Sequence, residues 1–300
     1  MVRPVAFRMN EQTAVNNYFQ EDLALKNAEI NAKAQEEFDA FVAKLRAAGV
    51  NIIVENDDLR MDTPDSIFPN NWITTHQDGD LALYPIFAEN RRRERREEVL
   101  IRLEEEGFLI KDVYDYTPAE DEGYFLEGTG SLLLDRVNRK AYCALSPRAD
   151  EELLIEFCED FEYTPVIFTA YQTVDGKRLP IYHTNVMMCL AENFCVICLD
   201  SIDDKKEKKN VIHHLRMDGK EIIDISEGQM HHFAGNMLQV QGKDHKYLVM
   251  SGAAHKSLSQ KQIEAIEKHC KILSSDLTTI ETCGGGSARC MMAEIFLPKA

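Results

Sequence analysis

A chain of 300 residues that is 44% hydrophobic and 28% charged has the composition of a folded globular protein, not a disordered one. Its formal charge of −17 argues against nucleic acid as a partner, because phosphate binding needs a basic face. No apolar run approaches the roughly 18 residues of a membrane span; the longest, Val186 to Leu199, is interrupted by Glu192 and Asn193.

The opening residues, Met1 to Phe7, lack the apolar core and cleavage site of a signal peptide, so a cytoplasmic protein is expected. Ile30 to Ala48 has helical apolar spacing and stops at Gly49. Ile52 to Val54 reads as a short strand. Trp72 to Thr75 and Leu81 to Phe87 read as a hairpin around Gln77-Asp78-Gly79-Asp80. Arg91 to Glu106 reads as a charged helix whose arginine run is compensated by nearby acids and faces solvent. Phe108 to Val113 reads as the next strand. Ser131 to Leu134 and Lys140 to Leu145 form a second hairpin, followed by helix Asp150 to Phe161 and strand Val166 to Thr169.

Asn185 to Leu190 and Phe194 to Leu199 form a third hairpin. It contains Cys195-Val196-Ile197-Cys198, whose apolar setting and lack of a second pair favour core packing over a metal or redox site. The eight cysteines of a cytosolic chain read as free thiols. Helix Asp203 to Met217 and strand Ile222 to Ile225 follow. A fourth hairpin spans Asn236 to Gln241 and His245 to Ser251, then helix Ser257 to His269, with Ser257 and Gln260 at capping-box spacing, and strand Leu277 to Ile280. His213-His214 and His231-His232 are taken as helix or loop residues, since adjacent histidines rarely face one ion.

The unit hairpin, helix, strand thus recurs about every 50 to 60 residues, five times if the two ends of the chain complete one copy. One such unit cannot bury its own apolar face, whereas several packed around an axis can. A closed ring of ββαβ units is expected; the same elements would also build an ordinary mixed α/β sheet. No linker divides the chain, so residues 1–300 read as one domain.

An unusual polar or glycine-rich stretch precedes each hairpin: Phe68-Pro69-Asn70-Asn71, Leu126-Glu127-Gly128-Thr129-Gly130, Tyr182-His183-Thr184-Asn185, and His231 to Asn236. The segment Cys283-Gly284-Gly285-Gly286-Ser287-Ala288-Arg289-Cys290 precedes a last apolar, strand-like run. In a ring of like units these positions converge. Asn71, Glu127, His183, Asn236 and Cys290 would bring a thiol, an imidazole, a carboxylate and carboxamides into one pocket. Each has a plainer reading: Cys290 as a small buried hydrophobe, His183 as a satisfied core histidine, Asn70 and Asn71 as turn residues.

The glycine-rich segment ending in Cys290, His183 with a polar residue two positions on, and Leu126-Glu127-Gly128 resemble the guanidine-modifying superfamily of amidinotransferases and arginine deiminases. The opening Arg3 to Asn10, with Thr13 and Asn16 to Gln20, and Phe68 to His76 resemble its citrulline-utilisation hydrolase-like branch. The resemblance runs nearly end to end. It implies a five-bladed, pseudo-symmetric α/β propeller of pentein type, with Cys290 as nucleophile, His183 as acid/base and Glu127 as its carboxylate partner. It implies no metal or organic cofactor, and a small amino-acid substrate as partner; no nucleic acid and no membrane are expected, and a homo-oligomer is compatible.

Asn71 and Asn185 stand where many relatives carry the aspartates that grip a guanidinium. A guanidinium only donates hydrogen bonds, while a carboxamide offers a donor and an acceptor, as a ureido group requires. Citrulline, hydrolysed to ornithine, ammonia and carbon dioxide, is therefore the expected substrate, unless Asp62, Asp65 or Glu192 restores the charge. Backbone N–H groups of Gly284 to Ser287 would stabilise the tetrahedral intermediate. Asn70, Asn71, Asn185 and Asn236 are expected around the substrate, with Arg148, Arg178 or Arg289 on its carboxylate. Glu122 to Phe125 and Gln172 to Arg178 are candidate lids. The same triad would also serve an arginine deiminase, dihydrolase or amidinotransferase, and the superfamily's fold also occurs in a non-enzymatic, ribosome-associated factor.

Overall fold

The computed structural model describes residues 1–300 as a mixed α/β fold. Four three-stranded sheets follow one another along the chain. In each, an antiparallel hairpin is extended by a third strand parallel to the hairpin's second strand. Parallel pairing requires a crossover, and a helical segment supplies it each time. The sheets are Ile73–Thr75, Leu81–Leu83 and Val113–Asp115; Leu132–Asp135, Lys140–Leu145 and Thr164–Thr169; Met188–Leu190, Phe194–Ile197 and Glu221–Asp224; and Leu238–Gln241, Lys246–Ser251 and Lys271–Ser275. At the N-terminus, helix Asn27–Ala47 joins the short parallel strands Val2–Arg3 and Glu55–Asn56. That helix buries Ile30, Ala34, Phe38, Phe41 and Leu45, one apolar stripe at three- and four-residue spacing.

The repeat is present in four copies, with several local departures from the sequence reading. The expected helix from Arg91 to Glu106 is broken into a 3-10 segment, Glu89–Glu94, and helix Glu97–Glu105. Neighbouring arginines are pulled to different partners: Arg91 turns inward to Glu94, Arg95 pairs with Glu120, and Arg96 donates to Asn56 O. Arg95 and Arg96 consequently leave helical backbone geometry, and Arg91 is buried, not solvated.

Ser257 does not open a helix. Its hydroxyl donates to Ala254 O at the end of helix Gly252–Ser257, and Ser259 with Gln262 forms the capping box of the next helix, Gln260–Glu267. Leu277 to Ile280 is not a strand: Glu37 accepts from Thr279 N (2.7 Å) and Ile280 N (3.0 Å), capping helix Thr278–Gly284, while the strand lies earlier. The strands expected at Ile52 to Val54 and Phe108 to Val113 begin only at Glu55 and Val113, where partners are in register. Residues 291–296 form no regular strand; Thr75 Oγ1 instead donates to Glu294 O (3.1 Å) and accepts from Phe296 N (2.7 Å).

Cys195 and Cys198 lie in the largest apolar cluster, and all eight cysteines are free and buried. No helix is long and apolar enough to cross a membrane.

Candidate active site

Phe68 and Asn71, Tyr182 and His183, and Gly284, Gly286 and Cys290, from three of the five singled-out stretches, line one cavity of about 10 Å³, room for about one water molecule; Glu127 and Asn236, from the other two, lie behind it. Cys290 reaches it from a turn in which its N–H donates to Ser287 O (3.0 Å). The preceding helix ends at Gly285, whose φ of +61° reverses the chain at little steric cost. The Cys290 sulfur accepts N–H groups from Asn236 (3.2 Å) and Asn185 (3.4 Å). The Gly285 N–H is committed to Glu281 O, whereas those of Gly286 and Ser287 are unbonded.

His183, 2% exposed, lines the same cavity, and its Nε2 lies 2.7 Å from Glu127 Oε2. Phe87 N holds the other Glu127 oxygen at 3.0 Å. Burial alone would raise the Glu127 carboxyl, but Arg148, the hydrogen bond to His183, and Arg91 outweigh it and hold it below the ordinary range. An ionised carboxylate only accepts, so it takes Nε2–H and leaves Nδ1 as the ring's lone-pair nitrogen. Burial pushes His183 down, against the pull of Glu127, and keeps the resting ring neutral.

Asn71 and Asn70 occupy a 3-10 turn, Pro69–Asn71. Asn71 Oδ1 accepts from Arg91 Nη1 (2.9 Å), and its Nδ2 makes no hydrogen bond within the chain. Oriented to match donors with acceptors, Asn70 donates to Cys290 O (2.7 Å) and accepts from Gly130 N (3.3 Å), so it braces the Cys290 backbone. Asn185 donates also to Thr129 O (3.3 Å), and its buried Oδ1 has no partner. Asn236 donates to Asn185 O (3.0 Å) and accepts from Arg289 N (3.1 Å).

The arginines separate clearly. Arg148 lines the cavity, stacks over Tyr182, and donates to Asn16 Oδ1 (2.9 Å) and Thr13 O (3.0 Å). Arg289 does not line it: its side chain turns away to Met292 O (2.8 Å) and Glu294 (3.2 Å), satisfying groups of the C-terminal run. Arg178 is held by Asp203 and Glu227 on a surface hairpin. Arg91, read from sequence as a surface residue, is the second cavity arginine, with both its Nε and Nη2 on Glu94 at 2.9 Å. No spacing signal marks it within its arginine run.

Among the acids, Asp62 pairs with Arg8 and Glu192 with Lys246, both exposed. Asp65 is buried in the cavity wall with Oδ1 unpaired, and burial raises its carboxyl against the opposing pull of Arg91. Neither expected lid contributes to the cavity lining, whereas residues 10–21 supply Thr13 and Asn17. Asn10 and Thr13 bond Asp65, Asn17 reaches Gly284 O and Gly285 O, and Glu21 N donates to Thr282 O. The stretch Gln172 to Arg178 is part of a strand pair, Tyr171–Val174 and Lys177–Pro180, pinned by Glu227.

Gly130 sets the closeness of the site. A Cβ there would lie 2.5 Å from Asn71 Nδ2 and 2.8 Å from His183 Nδ1. Gly130→Ala therefore displaces the imidazole; kcat should fall about 100-fold, the usual worth of a positioned acid/base, with a cooperative melt retained. Unchanged kcat would show that His183 tolerates displacement.

A family model for eukaryotic N,N-dimethylarginine dimethylhydrolases matches residues 3–297. No curated protein matches. Among solved structures, the apo form of ArgZ, an arginine dihydrolase from the ornithine–ammonia cycle in cyanobacteria, has a TM-score of 0.76 at 17% identity. That match covers 100% of this chain but only 40% of ArgZ. The N-terminal domain of ArgZ bound covalently to a reaction intermediate gives 0.72 at 18% identity, covering 99% of this chain and 98% of that domain. A dimethylarginine dimethylaminohydrolase adduct with S-methyl-L-thiocitrulline gives 0.62 at 14%, covering 97% and 96%. At these identities the likeness to the solved structures is one of fold alone; the family match over residues 3–297 is what places the chain among the guanidino-modifying proteins. The chain belongs to the eukaryotic N,N-dimethylarginine dimethylhydrolase family.

Proposed function

We propose that this chain hydrolyses citrulline to ornithine, ammonia and carbon dioxide through a carbamoyl thioester on Cys290. The observation that carries the reading is the pair of carboxamides. Asn71, in the cavity wall, keeps a free donor, and Asn185, against the Cys290 sulfur just behind that wall, keeps a buried acceptor without a partner. A ureido group presents a carbonyl oxygen and N–H groups together and satisfies both; a guanidinium satisfies only the acceptor.

Cys290 gives its proton to His183 Nδ1, and the thiolate attacks the ureido carbon. The free N–H groups of Gly286 and Ser287 receive the developing oxyanion. The carbon–nitrogen bond to ornithine breaks as His183 returns the proton to the departing amine. Water, deprotonated by the same ring, attacks the thioester; Cys290 leaves, and the carbamate decomposes to ammonia and carbon dioxide. Arg148, now on Thr13 and Asn16, exchanges those neutral partners for the substrate carboxylate. We also infer that the N-terminal strand pair and the C-terminal run form a fifth unit that closes a five-bladed ring. The bonds of Thr75 to Glu294 and Phe296 support this.

Asp65 favours a second reading. Its unpaired oxygen in the cavity wall is an acceptor for a guanidinium N–H, as arginine dihydrolysis would need. Incubation with citrulline, arginine and N,N-dimethylarginine, followed by ornithine and ammonia assays and intact mass measurement, separates the two. Ornithine and a carbamoyl adduct from citrulline are expected. An amidino adduct with turnover of arginine alone selects the second reading, and no product from any of the three overturns both.

A further inference from the structure

We propose that Asn236 is a thiolate-positioning residue, not a substrate ligand: its amide fixes the Cys290 sulfur and stabilises its ionised form for attack. The proposal rests on the reading of Cys290 as nucleophile. Asn236 is fully buried and, unlike Asn71 and Asn185, leaves neither end of its amide free for a ligand: both are spent on the surroundings of Cys290. Oδ1 accepts from the N–H of Arg289, the residue before Cys290, at 3.1 Å, and this contact fixes which end of the amide is which. Nδ2 is thereby left to donate, and it is shared between Asn185 O (3.0 Å) and the Cys290 sulfur (3.2 Å). One side chain so ties the loop backbone to the sulfur it carries. Because Nδ2 also holds the main chain of Asn185, the second amide on the sulfur depends on the same residue. An N–H donor strengthens its bond when the acceptor becomes an anion, so the gain falls on the thiolate.

The charged and titratable groups around the cavity are Asp65, Arg91, Glu127, Arg148, Tyr182 and His183. A change at 236 alters none of them. Asn236→Asp keeps the Oδ1 acceptor and replaces the donor with an oxygen; Asn236→Ala removes both. The readout is the rate of iodoacetamide alkylation of Cys290 between pH 6 and pH 10, followed by peptide mass mapping, together with kcat and KM. In Asn236→Ala, alkylation at pH 7 should slow about tenfold, the usual worth of a hydrogen bond to a charged group, and recover at alkaline pH. Asn236→Asp should slow it further, and kcat should fall with KM little changed. An equal slowing at every pH would mean altered access, and no slowing would mean no influence on sulfur; either overturns the proposal, as does a rise in KM alone. A parent protein that alkylates normally yet turns over no substrate would sink the functional reading and leave the thiolate role intact.

Discussion

Replacing Cys290 by serine should leave a folded chain that turns over no ureido or guanidino substrate, with kcat down by at least about a thousandfold. The serine hydroxyl accepts the same amide N–H groups from Asn185 and Asn236 that the sulfur accepts, so the buried donors keep a partner. Stability therefore changes little, and binding of citrulline persists. What is lost is chemical: a neutral hydroxyl is a far weaker nucleophile than a thiolate, and the neutral His183 is too weak a base to ionise it. Steady-state kinetics with calorimetric binding checks this, and the mass of the variant should show no adduct. Retained turnover would remove Cys290 from the mechanism.

Arg91→Met has the largest expected effect on stability, a loss of about 3–5 kcal/mol, because it strands a buried carboxylate. Arg91 holds Glu94 through two bonds of 2.9 Å and sits 3.8 Å from Asp65 and 3.9 Å from Glu127. Without it those acids share a desolvated space with less compensating charge: burial already holds Asp65 above its ordinary range and Glu94 at about 7, so both rise further and Glu127 loses part of what holds it low. A carboxyl raised in this way penalises the fold once pH exceeds its unfolded value, and protonation relieves the penalty in acid. The gap between parent and variant in urea unfolding should thus be wider at pH 8 than at pH 5. A gap that is absent, or wider in acid, would mean that Arg91 is not the partner of these acids.

The two predictions touch residues that the sequence exposes very unequally. Cys290 stands out because three glycines and a lone thiol precede an apolar run, and His183 and Glu127 stand out because their neighbours repeat along the chain. The hairpin, helix, strand repeat is visible because strand alternation and helix spacing are local properties. Arg91 was invisible: its partners are Glu94, Asn71 and Phe68 O, and only the fold selects it from a run of five nearby arginines. Arg289 failed for the opposite reason. Its place beside Cys290 suggested the cavity, yet the turn that aims residue 290 inward aims 289 toward Met292 and Glu294. The capping of helix Thr278–Gly284 by Glu37, about 240 positions away in the chain, is another long-range choice that no local pattern reports.

Residues 10–21 supply Thr13 and Asn17 to the wall of a chamber with space for about one water molecule. On the proposed reaction, ornithine is far larger than that space, so its release requires the wall that includes Thr13 and Asn17 to move. Cys290 is 3% exposed, so the rate at which a reagent meets its sulfur carries an opening factor common to every pH, on top of the thiolate fraction that pH controls.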